Sequence, residues 1–568
     1  MSQRVVIIGA VALGPKTACR LKRLEPDSRV TMVDQDDLIS YGGCGIPYFI
    51  SGDVSDPAQL QSTSFNMLRD EAFFREAKDI EVLTGTRALT IDRESKRVHV
   101  ESVKTGEKGA LPYDRLVLAT GSRPRPLSIL NSDLKGVFTV SNMDDAMAVK
   151  KMISEGAVGK AVMLGAGFIG LEVAEALSDL WGIETSVVEI MDQVLPGITS
   201  KTLAGMVQKG MELEGIRFHL GEKALRLEGK AQVEKVITDK RELEADLVVL
   251  AAGVIPNSDL AKEAGLDVSS TGAIIVNNRM ETSDPDIYAG GDCVQITNLI
   301  TGKPGYYPMG SMANRQGRVI GTNLAGGDAR FEGAVGSFVV KLFDHSVAGA
   351  GLGIETALQQ GFDAISAFVV QFDRAHFYPE KDLMSLELVV EKGSGRVLGI
   401  QGLGNSGDGM KGRIDAVAAI LPFKPTTKDI SNLELAYSPP FSSAMDILNA
   451  LGNTAENILH GKNRIIDAPA FEDLWHTREK GDTCFLDCRG RKNAEPYINR
   501  YPREWKSIPQ DELRARLDEV PGDKNIVLIC NTGVRSYEAQ ITLDQAGIRT
   551  SFNLQGGMAA VKKWGLDL

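Results

Sequence analysis

The sequence predicts an α/β protein with two domains built on βαβ units, a third α+β region and a small α/β domain at its C-terminal end. Three observations support this. A strand, a glycine turn, a helix and a second strand ending in an acid occur near residue 1 and again near residue 160. Residues 331–447 alternate strand and helix patterns. A buried strand ending at Cys530 precedes a loop and a helix, which is typical of a further α/β unit.

Length and composition narrow the classes of protein. A chain of 568 residues predicts roughly three to five domains. The net charge of −12 argues against a nucleic acid or an anionic membrane as partner, and no apolar run is long enough to span a bilayer. Six cysteines without a CxxC pair or zinc spacing favour a reducing cytoplasm, and no metal site is expected.

The first βαβ unit has an imperfect nucleotide-binding turn. A strand over 4–8 enters the turn, and the second strand ends at Asp34. Gly9 and Gly14 fill the first and last glycine positions, but Val11 stands where the middle glycine is usual. Such a turn places a helix N-terminus at a pyrophosphate, and the acid accepts from a ribose hydroxyl.

The second unit matches the full fingerprint. A strand over 160–164 leads into Gly165, Gly167 and Gly170, and the next strand ends at Glu189. An acid at this position binds the ribose 2′-hydroxyl and repels a 2′-phosphate. The unit therefore predicts NADH rather than NADPH.

With the glycine-containing segments 116–121, 247–253 and 287–292, these units resemble the pyridine nucleotide-disulfide oxidoreductase family over residues 1 to about 450. The resemblance implies FAD in the first Rossmann-like domain and NAD in the second. The residues implied for FAD are Gly9, Ala12, Gly14, Asp34, Thr120, Gly121 and Asp292. Those implied for NADH are Gly165, Gly167, Gly170, Glu189 and Gly253.

Cys44 is the predicted redox-active thiol. Disulfide reductases of the family pair two cysteines five residues apart, but Ile39 and Phe49 occupy those positions here. A single thiol must bond to an external sulfur or oxygen atom. The peroxidase and NADH oxidase branch carries a histidine in its first glycine loop, which 9–14 lacks, so sulfur is favoured. The segment resembles the coenzyme A-disulfide reductase branch, although Gly43 replaces a frequent asparagine. A small buried hydrophobe is the alternative for Cys44.

The third region resembles the dimerisation domain of the family and implies a homodimer. Its segments 376–379 and 436–440 match those that supply tyrosines to the partner's active site, which implies catalytic roles for Tyr378 and Tyr437. Ordinary packing is the alternative for both side chains.

Coenzyme A is a further candidate ligand, because the coenzyme A-disulfide reductase branch of the family places cations on the first helix and apolar and basic residues shortly after that helix. A solvated basic helix face is an equally good interpretation. The candidate residues are Arg20, Lys22, Arg23, Ser62, Phe65 and Arg69.

Residues 466–568 resemble a rhodanese domain. Cys530 opens the loop 530–536, in which backbone N–H groups and Arg535 are expected to stabilise a thiolate and then a persulfide. We expect this loop to capture long or poorly fitting sulfane donors. One segment, 499–505, departs from the pattern of rhodaneses, and a domain that only binds or supports is the alternative.

Together these features predict an FAD-dependent, NADH-driven reductase of small persulfide, polysulfide or coenzyme A-linked substrates. The alternatives are a coenzyme A-disulfide reductase with an auxiliary rhodanese domain, and a sulfur carrier or sensor whose flavin is mainly structural. The expected domains are 1–115 and 251–328 for FAD, 116–250 for NAD with a core of about 150–245, 329–450 for dimerisation, and 466–568 for the rhodanese.

Overall fold

The computed structural model describes residues 3–405 and 407–568. The chain forms two compact units, the first comprising the chain up to Ile190 with His219–Ala334, and the second comprising Met191–Phe218 with Val335–Leu568. Within the described ranges, no helix combines the length and apolar composition needed to span a bilayer. The same ranges contain no group of three or more His, Cys, Asp or Glu side chains placed to hold a metal ion.

The first sheet of the first unit is parallel, and its apolar strands are buried on both faces. Its strands, from edge to edge, are Ile287–Ala289, Arg115–Leu118, Arg4–Ile8, Arg29–Val33 and Glu81–Leu83. Leu116 pairs with Val6, so the boundary expected at residue 115 falls at the start of a strand of this sheet. The core of this unit also includes Phe331 and Ala334, beyond the boundary expected at 328.

A second parallel sheet in this unit carries the second glycine turn. Four of its strands lie in the order Glu184–Glu189, Lys160–Leu164, Leu247–Leu250 and Val137–Phe138. The other strands around these sheets are Thr86–Asp92, Arg97–Ser102, Lys108–Pro112, Ser122–Pro124, Arg217–Leu220, Ala224–Glu228, Lys235–Thr238, Glu242–Glu244, Val254–Pro256, Ile274–Ile275, Val294–Thr297 and Pro304–Gly305. The helices are Leu13–Leu24, Ile46–Ser51, Pro57–Gln61, Glu71–Lys78, Met143–Ser154, Phe168–Ser178, Asp259–Glu263 and Gly310–Leu324.

The second unit contains an antiparallel sheet with helices against it. Its strands lie in the order Phe338–Leu342, His345–Gly351, Val397–Asn405, Leu383–Glu391 and Ala364–Phe372. Its helices are Lys201–Leu213, Ile354–Gln359, Asp408–Ile420, Thr427–Ser431 and Ile447–Leu459. The last helix begins at Ile447 because the Asp446 side chain accepts from the Leu448 N–H and caps it.

The C-terminal part of this unit is a parallel sheet with helices around it. Its strands lie in the order Ile465–Ile466, Ser551–Leu554, Asn525–Ile529, Thr483–Asp487 and Trp505–Ser507. Its helices are Ala468–His476, Arg491–Arg500, Val534–Gln545 and Gly557–Trp564. Aromatic side chains, among them Phe471, Phe485 and Trp505, fill one face of the sheet. The structure is therefore the predicted mixed α/β fold.

Candidate active site

Cys44 lies in a single 3-10 turn, Gly43–Gly45, immediately before the helix Ile46–Ser51. Its residue surface is exposed. Gly45 fits because a Cβ there would meet the Leu60 side chain at 2.3 Å. On the other side, a Cβ added to Gly310 would lie 3.7 Å from the Cys44 sulfur. The thiol thus faces the first residue of the helix Gly310–Leu324.

The surroundings of Cys44 favour its protonated thiol over its thiolate. Desolvation raises the pKa of the Cys44 thiol, and the negative charges of Glu172 and Asp292 raise it further. Backbone N–H groups, including that of Gly310, lower it by a smaller amount. The reactive thiolate therefore requires a compensating proton or cation close by.

Glu172 is a titratable group beside Cys44 that the sequence analysis missed. It lies in the helix Phe168–Ser178, and burial together with the charge of Glu175 raises its pKa to about 7. A carboxyl group with this pKa exchanges a proton near neutral pH. It can therefore hold a proton beside the cysteine, which would relieve the charge that opposes thiolate formation.

The two glycine turns have the shape that a dinucleotide requires. A Cβ at Gly9 would meet the Ala119 carbonyl oxygen at 2.1 Å, and one at Gly14 would meet the Gly9 carbonyl oxygen at 1.9 Å. In the second turn a Cβ at Gly170 would meet the Gly165 carbonyl oxygen at 2.0 Å. These glycines are needed by the packing of the turns themselves.

The middle position of each turn is different. A Cβ at Gly167 would meet nothing within 4 Å, so protein packing does not demand this glycine. Open space there suits the close approach of a pyrophosphate. Val11 occupies the same position in the first turn and is half-buried. Neither following helix has a side-chain hydrogen bond at its N-cap, Ala12 or Gly167, and a helix N-terminus of this kind suits a bound pyrophosphate.

The two predicted acids close these turns in the same way. Asp34 accepts a hydrogen bond from the Ala10 N–H at 2.7 Å, and Glu189 accepts one from the Ala166 N–H at 2.8 Å. Burial raises the pKa of Asp34, and the backbone donors oppose that rise. Each acid therefore supports its turn and stands where an adenosine ribose is bound in such folds. These residues fit FAD in the first turn and a nicotinamide dinucleotide in the second.

The other cofactor residues lie on the connections between the two sheets. The Thr120 hydroxyl donates to the Asn257 carbonyl at 2.5 Å, and the Asn257 N–H donates to Gly121. Gly253 has a φ of +88° and accepts from the Arg125 N–H. Asn257, which the sequence analysis missed, thus links the two connections.

Asp292 follows the short strand Ile287–Ala289 of the first sheet. Burial raises the pKa of its carboxyl, and the hydrogen bond from the Ser122 hydroxyl at 3.2 Å lowers it. The Tyr306 hydroxyl donates to the Asp292 carbonyl at 2.9 Å. The acid is therefore fixed close to both Cys44 and the first turn.

The candidate coenzyme A residues divide into two groups. The charges of Arg23 and Arg69 both act on the half-buried Cys19, as do those of Lys16 and Lys78. This basic cluster, defined as Lys16, Arg23, Arg69 and Lys78, contains two lysines that the sequence analysis did not select.

The remaining candidates, Arg20, Lys22, Ser62 and Phe65, do not belong to the basic cluster. Phe65 is 89% exposed in a loop after Ser62, whose hydroxyl donates to the Ala58 carbonyl. Arg20 donates to the Thr322 hydroxyl at 3.0 Å. The Lys22 ammonium group pairs with Asp79 and donates to the Pro26 and Ser28 carbonyls.

Tyr378 and Tyr437 lie on two loops of the second unit that contact each other. The Ala375 N–H donates to the Pro439 carbonyl at 3.2 Å, and the Ser443 hydroxyl donates to the Arg374 carbonyl. Tyr437 is 50% exposed and Tyr378 is half-buried. The structure therefore brings the two predicted tyrosine segments together at the surface of this unit.

Cys530 lies at the carboxyl end of the strand Asn525–Ile529, as predicted. Its sulfur accepts hydrogen bonds from the Gly533 N–H at 3.1 Å and from the Ser536 hydroxyl at 3.2 Å. Gly533 has a φ of +101° and directly precedes the helix Val534–Gln545. The donors suit a sulfur anion, and Ser536 adds a side-chain donor that the sequence analysis missed.

The cradle around Cys530 is tighter than expected. Cys530 is only 1% exposed, so the expectation that its loop accepts bulky donors is wrong for this conformation. A Cβ at Gly557 would meet the Cys530 carbonyl oxygen at 2.3 Å, which explains the glycine there. Arg535 is half-buried, and its charge acts on the neighbouring Cys488. Gln555, two residues before Gly557, accepts a hydrogen bond through its side-chain oxygen from the Phe368 N–H at 2.8 Å.

Comparison with known families agrees with this geometry. The family model "Pyridine nucleotide-disulphide oxidoreductase" matches residues 3–317. The chain belongs to this family. The dimerisation domain of the pyridine nucleotide-disulphide oxidoreductases matches residues 337–448, and a rhodanese-like domain matches 470–563.

Two solved structures and one curated relative resemble this oxidoreductase over most of their length. A NAD-dependent persulfide reductase from A. fulgidus is 39% identical with a TM-score of 0.92, covering 98% of this chain and 99% of that one. Reduced Bacillus anthracis CoADR-RHD is 31% identical with a TM-score of 0.90, covering 99% and 98%. The NAD(P)H coenzyme A polysulfide/persulfide reductase of Pyrococcus horikoshii is 34% identical, covering 79% of this chain and 98% of the relative.

Proposed function

We propose that this oxidoreductase is an FAD-dependent, NADH-driven reductase of persulfide, polysulfide or coenzyme A-linked sulfur, with its rhodanese domain handling sulfane sulfur. One observation carries the proposal: Cys44, a free thiol, lies within the electrostatic influence of Glu172, a carboxyl group whose pKa burial raises to about 7. A second cysteine with two donors to its sulfur lies on the same chain. The names of the relatives described above point to the same chemistry.

In the proposed reaction, the Cys44 thiolate attacks the sulfane sulfur of the substrate, and the carrier thiolate leaves. FAD and NADH, when bound, supply the two electrons that the next step needs. Those electrons and a proton convert the Cys44 persulfide into the Cys44 thiolate and HS⁻. Glu172 holds a proton next to this sulfur and so limits the accumulation of negative charge.

The substrate carrier is proposed to be coenzyme A or a small thiol. The basic cluster offers cations for phosphate groups, and the exposed Phe65 offers a face for a base. The two tyrosine loops also carry exposed apolar side chains, Phe377 at 65% and Phe441 at 76%. We propose that this surface is covered in a homodimer, in which Tyr378 and Tyr437 donate to the leaving thiolate of a second copy's site.

The proposed location is the cytoplasm. The described residues contain no disulfide, and all six thiols are free.

The proposal is tested by anaerobic NADH oxidation against a panel of persulfides and disulfides, with sulfide measured. Cys44→Ser should retain FAD and lose multiple turnover, because serine forms no sulfur-linked intermediate. Cys484→Ala removes a thiol from a strand of the rhodanese domain and serves as the control. Retention of most sulfur reduction by Cys44→Ser would contradict the mechanism.

The two alternatives give different results in the same assay. A coenzyme A-disulfide reductase oxidises NADH with coenzyme A disulfide and releases no sulfide. The similarity of this chain to CoADR-RHD supports this alternative. A sulfur carrier with a structural flavin is yellow but is bleached slowly or not at all by NADH.

A further inference from the structure

A second thiol, Cys488, lies beside Cys530 at the end of the rhodanese sheet. The strands Thr483–Asp487 and Asn525–Ile529 are parallel, with Asp487 opposite Ile529. The ladder continues for one more residue, because the Cys488 N–H donates to the Ile529 carbonyl at 2.8 Å. Cys488 and Cys530 are therefore the residues that directly follow two neighbouring parallel strands, and such strands lie about 4.8 Å apart.

The two thiols share one face of that sheet. Alternate residues of a strand point the same way. Cys484, Leu486 and Cys488 belong to the same core cluster as Ile526 and Leu528, and Cys530 continues that alternation. The helix Val534–Gln545 covers this face and contributes Ala539 and Leu543 to the cluster. Both cysteines are 1% exposed, so both thiols are closed to bulk solvent.

Two further facts indicate that the thiols can react with each other. A spacing of about 4.8 Å falls within the range of about 4.4–6.8 Å between the Cα atoms of disulfide-bonded cysteines. The charge of Cys530 also contributes to the raised pKa of Cys488, of which burial is the main cause. Cys488 donates only a long contact of 3.7 Å to the Leu486 carbonyl.

We propose that Cys488 is a resolving thiol for Cys530. This inference rests on the proposed role of Cys530 as a carrier of sulfane sulfur. The Cys488 thiol passes its proton to the terminal sulfur of the Cys530 persulfide anion, and the Cys488 sulfur attacks Sγ of Cys530. The bond from Cys530 to the terminal sulfur breaks, HS⁻ leaves with the electron pair, and a Cys488–Cys530 disulfide forms. The terminal sulfur is reduced by two electrons, and the two cysteine sulfurs are oxidised by two. A low-molecular-weight dithiol then reduces the pair.

The environment makes this a slow reaction. The raised pKa keeps Cys488 protonated near neutral pH, and Asp487 adds to the rise while Arg535 opposes it. A protonated thiol does not compete for incoming sulfur. The disulfide therefore forms over minutes to hours, when no acceptor removes the sulfur from Cys530. Cys488 and Cys530 together convert a Cys530 persulfide that finds no acceptor into sulfide and a disulfide.

The test uses the full-length holoenzyme and thiosulfate under anaerobic conditions without an acceptor. Samples are alkylated at intervals, digested and analysed by mass spectrometry, with sulfide measured in parallel. Wild type should show a Cys530 persulfide that is replaced by a Cys488–Cys530 disulfide with one sulfide per disulfide. Cys488→Ala should keep the persulfide and release sulfide at least tenfold more slowly. Cys484→Ala, four residues before Cys488 and in the same core cluster, should behave as wild type.

A persulfide that decays equally fast in Cys488→Ala would overturn the proposal, as would a wild-type persulfide that never yields the disulfide. Cys488→Val replaces the alanine variant if the latter does not fold. If thiosulfate leaves no sulfur on Cys530, the carrier role fails and the proposal with it. Diamide oxidation then still shows whether the two thiols are within bonding reach, through the presence or absence of the same disulfide.

Discussion

Glu189 offers the most quantitative test of coenzyme recognition. Its carboxylate accepts from the Ala166 N–H at 2.8 Å, and the residue is 8% exposed. Replacement by glutamine keeps an acceptor oxygen for that N–H and removes the negative charge. Replacement by alanine removes both. The two variants therefore separate support of the turn from recognition of the ribose.

The expected size of the effect follows from the type of bond. A hydrogen bond to a charged group contributes about 1.5–3 kcal/mol, and about 1.4 kcal/mol corresponds to a tenfold change. Glu189→Ala should therefore lower kcat/KM for NADH by about tenfold to a hundredfold. Glu189→Gln should lower it less, because a neutral acceptor remains. Both variants lose the repulsion of a 2′-phosphate, so the ratio of kcat/KM for NADH to that for NADPH should narrow about tenfold or more.

The assay compares kcat/KM for both coenzymes with one saturating sulfur acceptor, at equal FAD content. The matched control is Asp34→Asn, since Asp34 makes the equivalent bond to Ala10 in the first turn. It should weaken FAD retention without changing the coenzyme ratio. A wild-type preference for NADPH, or an unchanged ratio in Glu189→Ala, would refute the assignment.

Three more outcomes are expected. Glu172→Gln removes a charge that raises the pKa of Cys44, so iodoacetamide should alkylate Cys44 at lower pH than in the wild type. Asp179→Asn, at the C-cap of the same helix, should leave the pH dependence of alkylation unchanged. An unchanged pH dependence in Glu172→Gln would exclude the interaction. Cys530→Ser should abolish thiosulfate sulfurtransferase activity and largely spare NADH-dependent reduction of coenzyme A-linked substrates; equal loss of both would mean that all substrates pass through Cys530. Burial raises the pKa of Glu387 from 4.5 to about 7. The folded state therefore keeps the full contribution of protonated Glu387 below about pH 4.5, and the free energy of unfolding falls by about 3 kcal/mol as the pH rises through 7. Glu387→Gln should reduce the fall in Tm between pH 5 and 8. An identical fall in Tm in both proteins would contradict this.

Local features of this protein could be predicted because their causes are local. The glycines of the two turns, the acids that end the second strands and the loop after Cys530 each depend on backbone geometry within a few residues. A Cβ at Gly14 or Gly170 collides with the carbonyl oxygen of a glycine five residues earlier. Helix and strand types could be predicted for the same reason, whereas the start of a helix depends on a capping side chain, as Asp446 shows.

The sequence by itself determined the α/β fold class, the family and the two cysteines around which the chemistry is proposed. Only the tertiary structure placed Glu172 and Gly310 beside Cys44 and aligned the strands that lead into Cys488 and Cys530. It also buried Cys530 and paired Lys22 with Asp79. These relations join residues far apart in the chain, and they depend on strand order and register. Burial and charge then change a side chain's protonation according to neighbours that no short sequence window contains.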